Sequence, residues 1–572
     1  MKIPIYVRRR LYVRSLSLWL ALTGLHSAAE PADLVIFADR VLTMEGSRPA
    51  PAAPTAVAVN GGRIEWLGQP EQGAQYIDAE TEVVRLRPGA TLIPGLIDAH
   101  GHLAFTALSS VLVNVASPPV GPVEDIADLQ STLRDYIRKH AIPTGEWVVG
   151  LGYDDSLIAQ QRHPTRDDLD EVSTEHPIML LHVSGHLATA NSKALARGGI
   201  TADTPDPPGG LIRRSSDGEP NGVLEESATY PLRKYMTAPN KDPLQAVSNA
   251  MRLYASHGIT TVQDGASSAD SLRLLNAADA AGKIYLDVHV YPMGQPDPQR
   301  VLDTFDFGTY AKRVKVVGVK LMLDGSPQGK TAYLSKPYHV PPDGQDRSYR
   351  GYPSIPPPVA NDLVATYLAK EIPIIAHANG DAAADMLIEA VALAAPLHDH
   401  RTTMIHAQTV REDQLTRMKS LGMIPSYFSA HSFFWGDWHR DSVLGVTRGE
   451  RISPTASTVA RGMVFTVHND TPIVPPDMVR LLWATTNRLT RSGKVLGAQQ
   501  RISAYQALLG MTRFAAVQGF EDNTKGTLTP GKVADMTVFS QDPTALDPQD
   551  LLQLHIESTW SRGRQVYARR SE

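Results

Sequence analysis

Eight short apolar runs, separated by segments of helical pattern, constrain this chain more than any other feature. They are Leu96–His100, Ile259–Asp264, Leu286–Tyr291, Val316–Met322, Ile372–His377, Thr403–Gln408, Met423–Phe428 and Met463–Asp470. Strands buried on both faces read as near-continuous apolar stretches, and the alternation with helices is the signature of a parallel α/β fold. Helical segments such as Asp242–His257, stopped by Gly258, and Ala382–Ala395 fall between the runs. Eight such units predict a (β/α)8 TIM-like barrel. The first run begins at residue 96 and the second only at 259, so residues 115–241 are expected as an insertion after the first strand, over the C-terminal mouth of the barrel.

Both ends read differently. Asp33–Phe37, Ala56–Val59 and Arg63–Leu67 are short and strand-like, with the hairpin signal Asn60-Gly61-Gly62 between the last two. The style returns at Lys532–Phe539 and Ser558–Trp560. These predict a small β-sandwich domain assembled from residues 30–92 and 516–572, leaving 93–515 for the barrel. Residues 1–29 carry five basic side chains (Lys2, Arg8, Arg9, Arg10, Arg14) and no acid, then the apolar stretch 15–25 and the small residues Ser27-Ala28-Ala29. That is the order of a secretory signal peptide cleaved after Ala29, which predicts a periplasmic or secreted mature protein. The apolar stretch is about half the roughly 20 residues a membrane span needs, so no stable membrane anchor is expected.

The chain has no cysteine, which excludes disulfides, thiolate metal ligands and a cysteine nucleophile. Its net charge is −5, and without the basic leader the remainder is more acidic still, which argues against a nucleic-acid partner. The expected partners are a small-molecule substrate and, at most, a second copy of the chain as a homodimer.

His100-Gly101-His102 ends the first run, and alternate residues of an extended chain point the same way, so both imidazoles can reach one ion. The pattern is weak alone. It recurs as His398-Asp399-His400, which lies ahead of a strand and reads as a solvated loop. The first pair gains weight because Lys320, His377, His406 and Asp470 fall on or at the ends of other runs, and strand ends in a barrel converge on one mouth. Four histidines, a lysine and an aspartate together make a metal site by ligand chemistry. His186, Asp154 and Glu226, from the insertion, read equally well as substrate contacts or as lid turn, cap and surface residues; His468 reads as a further pocket donor or as a strand residue.

Leu92-Ile93-Pro94-Gly95-Leu96-Ile97-Asp98-Ala99-His100-Gly101-His102 resembles the signature of the amidohydrolase superfamily, and Gly526–Met536 its C-terminal return to the β-domain. Val319–Ser326, Gly185–Ser192 and Pro220–Glu226 resemble the amidohydrolase 3 (YtcJ-like) branch, which includes N-substituted formamide deformylase. The resemblance spans nearly the whole mature chain. It implies a centre of two divalent metal ions, zinc by preference. His100 and His102 would hold one ion with Asp470, His377 and His406 the other, and a carbamate formed from CO2 on Lys320 would bridge them. It implies hydrolysis of a C–N bond, in an amide, N-acyl group or formamide, by a metal-bound hydroxide with Asp470 moving the proton. Three alternatives stay open: an esterase or lactonase on the same site, a non-catalytic periplasmic binding or regulatory protein, and a carbohydrate-active barrel. The last would need paired strand-end carboxylates, for which Asp264 and Asp324 are the candidates.

Overall fold

The computed structural model describes residues 30–236, 242–342 and 344–570. The expected signal peptide, residues 1–29, lies outside them. Every apolar run contains a strand: β1 (Leu96–Ile97), β2 (Ile259–Ser267), β3 (Asp287–Pro292), β4 (Val319–Met322), β5 (Ile374–Ala378), β6 (Thr403–His406), β7 (Ile424–Tyr427) and β8 (Thr466–Val467). Successive strands pair in parallel, β1 with β2 and β2 with β3, then β4 through β8 in order. Leu96, Ile259, Val288, Val319, Ile374, Met404, Tyr427 and Val467, one from each strand, share a single buried apolar cluster with the surrounding helices.

The pairing forms two five-stranded sheets rather than one continuous ring of eight. They meet along two seams. Between β3 and β4 there is one bridge, Met293 with Lys320, and the bond from Gly294 N to Lys320 O. Just before β4 the backbone of Gly318 lies against Pro373, so close that a side-chain carbon there would lie 2.1 Å from the Pro373 carbonyl oxygen. That squeeze separates the short strand Val314–Val316, which pairs with β3, from β4. At the other seam β1 and β8 are only two residues long, because the chain beyond them turns to present functional side chains. Asp470 N still donates to His100 O, and His102 N to Thr471 O.

The helices that flank the strands start and stop as their sequences dictate. Pro243–Ser256 is capped by the Asp242 carboxylate, which accepts from Leu244 N and Gln245 N, and it ends at Gly258, whose φ of +83° few other residues adopt. Asp381–Ala394 follows β5 and buries a face of alanine and larger aliphatic side chains, among them Leu387, Ile388 and Val391.

The segment expected as an insertion builds a sheet that begins two residues ahead of its expected start, six strands in the order Gly210–Arg214, Pro220–Glu226, Leu187–Ala190, Ile178–His182, Val148–Tyr153, Val113–Asn114. Apolar clusters cover both of its faces. The two chain ends meet in a further sheet: Arg40–Val41 and Thr91–Pro94 pair through to Met536–Phe539, Ile556–Ser561 and Arg564–Ala568. It shares a core, including Ile36, Val57, Leu92, Val538 and Trp560, with the N-terminal sheet of Leu34–Phe37, Ala56–Asn60, Arg63–Gly68 and Glu82–Arg85.

Candidate metal centre

The C-terminal ends of the strands bring His100, His102, Lys320, His377, His406 and Asp470 to one cavity of about 310 Å³. His100 and His102 follow β1, Lys320 lies within β4, His377 within β5, His406 ends β6 and Asp470 follows β8. Two of these residues hold backbone conformations that side chains rarely adopt, His406 at φ +73° and Asp470 at φ +57°. Such strain persists only where the surrounding structure enforces it, and it concentrates at functional sites.

Each histidine is tied outward through Nδ1. His100 donates to the Gln263 carboxamide oxygen, whose own NH2 group donates to Ala99 O and so fixes the amide's orientation. His102 donates to Gly265 O at 2.7 Å. His377 donates to Asp324 at 3.0 Å. His406 Nδ1 lies 3.2 Å from His468 Nε2, and His468 Nδ1 lies 2.9 Å from Ser426 Oγ. With the Nδ1 protons committed, the Nε2 lone pairs turn into the cavity.

There three of them face a carboxylate. Asp470 Oδ1 is 3.1 Å from His102 Nε2 and 3.5 Å from His100 Nε2, and Oδ2 is 3.9 Å from His406 Nε2. Lone pairs aimed at a carboxylate repel unless a cation lies among them, so the donor set itself fits a divalent ion. Ligand atoms of His100, His406 and Asp470 lie within 4.8 Å of one another, so the strand ends on opposite sides of the cavity are within reach of metal ligation together. Burial holds the imidazoles of His100, His377 and His406 well below the ordinary histidine range, which keeps them neutral and ready to ligate. Lys320 Nζ is 3.0 Å from His100 Nε2, and burial brings its ammonium down to about 7. A neutral amine, the form that adds CO2, is therefore accessible near neutrality.

Sequence reasoning missed what holds these ligands in place. Asp324 accepts from the backbone N–H groups of Tyr333, Asn379 and Gly380 as well as from His377, so it is an orienting carboxylate with no free face for glycoside chemistry. Its place in the Val319–Ser326 motif, four residues after Lys320, was the available signal. His468 lies just beyond β8 as the partner of His406 and does not line the cavity.

Of the three insertion residues, His186 and Glu226 line the cavity and bond to each other, His186 Nδ1 donating to Glu226 Oε2 at 2.8 Å. Asp154 does not line it. It is buried elsewhere, accepting from Trp435 Nε1 at 2.7 Å and from Ser156, because the turn after Val148–Tyr153 directs it toward the loop that follows β7. The structure therefore places Asp154 apart from this cavity, on the wall of a second one of about 420 Å³. His400 is likewise buried, with Thr402 Oγ1 and Leu421 O on its two nitrogens, and not solvated.

A family model described as the amidohydrolase family matches residues 88–567. N-substituted formamide deformylase of Arthrobacter pascens is 28% identical over 564 residues, covering 94% of this chain and 98% of its own length. A solved structure of an uncharacterized metal-dependent hydrolase from Pyrococcus horikoshii superposes with a TM-score of 0.70 at 22% identity, covering 90% of this chain and 99% of that one. A second, from Pyrococcus furiosus, gives 0.66 at 22% identity over 91% and 99%.

Proposed function

The chain belongs to the amidohydrolase family, and from that premise we propose that it is an exported hydrolase of C–N bonds, acting on an amide, N-acyl or formamide group of a small molecule through a two-metal centre. The observation that carries this reading is the common orientation of His100, His102, His377 and His406, each bound outward through Nδ1 with Nε2 toward one cavity. In this reading the closed (β/α)8 barrel spans residues 93–515, with the insertion 115–241. Residues 30–92 and 516–572 form a composite β-domain, and residues 1–29 are removed on export, so sequencing of the exported protein would begin at Glu30.

His100, His102 and Asp470 would hold one ion, and His377 and His406 the second. Lys320, carboxylated, would bridge them, since a carbamate offers two anionic oxygens on one arm. Bound there, divalent ions, zinc by preference, supply Lewis acidity toward a carbonyl and lower the pKa of a water to roughly 7. Asp470 orients the attacking water, accepts its proton and returns it to the leaving nitrogen. Gln263, Asp324 and His468 keep the imidazoles in the required tautomer, and the inserted sheet supplies the cavity wall that limits water.

The formamide chemistry named for the Arthrobacter relative makes N-substituted formamides the first substrates to assay. Matched formamides, N-acyl amines and esters should be incubated with metal-replete protein and after chelation. Metal-dependent release of amine supports the proposal; turnover of the esters alone moves the reading to an esterase, and no turnover of any member favours a binding role.

A further inference from the structure

His186 shares the arrangement that marks the other histidines of the centre, although it comes from the inserted sheet's own Gly185–Ser192 segment and not from a strand end. Its Nδ1 donates to Glu226 Oε2 at 2.8 Å, and the ring lines the cavity. Its Nε2 lies 3.1 Å from Nε2 of His377. His377 Nε2 is an acceptor, because its Nδ1 proton goes to Asp324 and because Asn379 Nδ2, which donates to Gly325 O, lies 3.2 Å from it. Both Nδ1 atoms are bonded to carboxylates, so the two Nε2 atoms face each other. Two nitrogens held by one tetrahedral zinc at roughly 2.0–2.1 Å each would lie about 3.3 Å apart, close to the separation here.

A buried pair elsewhere, His431 Nδ1 and His439 Nε2, also meets nitrogen to nitrogen, at 2.9 Å and away from this cavity, but His182 and His176 differ. His182 has Asp155 on one nitrogen and Ser184 on the other, and both nitrogens of His176 are bonded, to Ser173 Oγ and Ile142 O. Glu226 adds an independent observation. Its backbone is strained at φ +49°, as His406 and Asp470 are, and its second oxygen, Oε1, is buried with no hydrogen-bond partner. Gly325 makes room for that oxygen, since a side-chain carbon there would lie 2.2 Å from it. The conformation is held for the sake of where the carboxylate points, which is at His186.

We propose that His186 is a metal ligand, completing the ion held by His377 and His406, and that Glu226 is its positioning residue. The inference rests on the two-metal reading above and deepens it: the centre is finished by the insertion, not by the strands alone. Assembly of that half of the site then depends on docking of the inserted sheet, and occupancy of the metal in turn holds the sheet closed over the cavity.

The test is metal binding by the full mature protein. Metal content by mass spectrometry, affinity by chelator competition and the absorption spectrum of the cobalt-substituted protein would be compared for wild type, His186→Gln and Glu226→Gln. The expected result is loss of one equivalent, or at least a hundredfold weaker binding of it, in His186→Gln with a changed cobalt spectrum. Glu226→Gln should weaken the same equivalent by roughly 10–100-fold, the usual effect of removing a ligand's orienting partner. Unchanged content, affinity and spectrum in His186→Gln would overturn the inference and leave His186 a hydrogen-bond partner of His377. Should the variants fail to fold, a crystal structure of the zinc-loaded wild type reads the same point. His186 Nε2 at about 2.0–2.1 Å from an ion supports it, and 3 Å or more overturns it. A wild type that takes up no metal removes the proposed function as well, whereas a loaded wild type with indifferent His186 variants removes only this inference.

Discussion

Asp470 combines a φ of +57° with a carboxylate aimed at three imidazoles. Conformations of that kind cost about 1–3 kcal/mol and are kept where the direction of the side chain matters. Asp470→Asn preserves the shape and an oxygen ligand but removes the proton acceptor. It is expected to retain metal while losing at least about a hundredfold in turnover, measured as kcat on the best amide substrate; unchanged kcat would take Asp470 out of proton transfer. Lys320 carries the pH dependence. Burial lowers its ammonium to about 7, so the amine is mostly charged below that pH and mostly neutral above it. At fixed dissolved CO2, the equilibrium amount of carbamate on the metal-free protein should rise by well over tenfold between pH 6 and pH 8, because the neutral fraction of the amine rises about tenfold and adding CO2 to it releases a proton. Carbonyl-13C NMR of protein equilibrated with labelled CO2 measures it, and a flat profile would mean that Lys320 is not the carbamate site.

At the scale of elements, the eight strands were legible because parallel strands are buried on both faces and their apolar runs stand out between helices. The convergence of His100, Lys320, His377, His406 and Asp470 was legible for the same reason, since each sits on or just beyond a strand. The inserted sheet was not. Its strands pair by long-range register, Leu187–Ala190 with both Ile178–His182 and Pro220–Glu226, and a register set by tertiary packing leaves no local periodicity to read. For that reason Asp154 and His186 looked alike in sequence yet serve different ends. Asp154 fastens this sheet to the loop after β7 through Trp435. Trp435→Phe keeps the ring but leaves a buried carboxylate short of a donor, an expected loss of about 1–3 kcal/mol in stability, read from the urea midpoint. Burial already raises the Asp154 carboxyl, and removing a donor to its charged form raises it further. The penalty therefore belongs to the ionised form: it should be fully present at pH 8 and shrink as the pH falls and the carboxyl protonates. A loss that grows toward acid pH would contradict the assignment.

Across the described residues, the first and last strands are drawn into adjoining sheets, while the candidate metal ligands share their cavity with residues of the inserted sheet. No helix among the described residues is long and apolar enough to cross a membrane. The hairpin at Asn60-Gly61-Gly62 and the terminal strands were legible from turn chemistry and alternation; the two seams between the parallel sheets were not, because they depend on the squeeze at Gly318 and on the turn into Asp470. The central claim is that the convergent imidazoles, Lys320 and Asp470 form a two-metal centre. Its most direct test is the metal stoichiometry of the mature protein, purified without chelator or histidine tag and reconstituted with zinc and bicarbonate. Close to two equivalents per chain is the expected result, and no bound metal would contradict it.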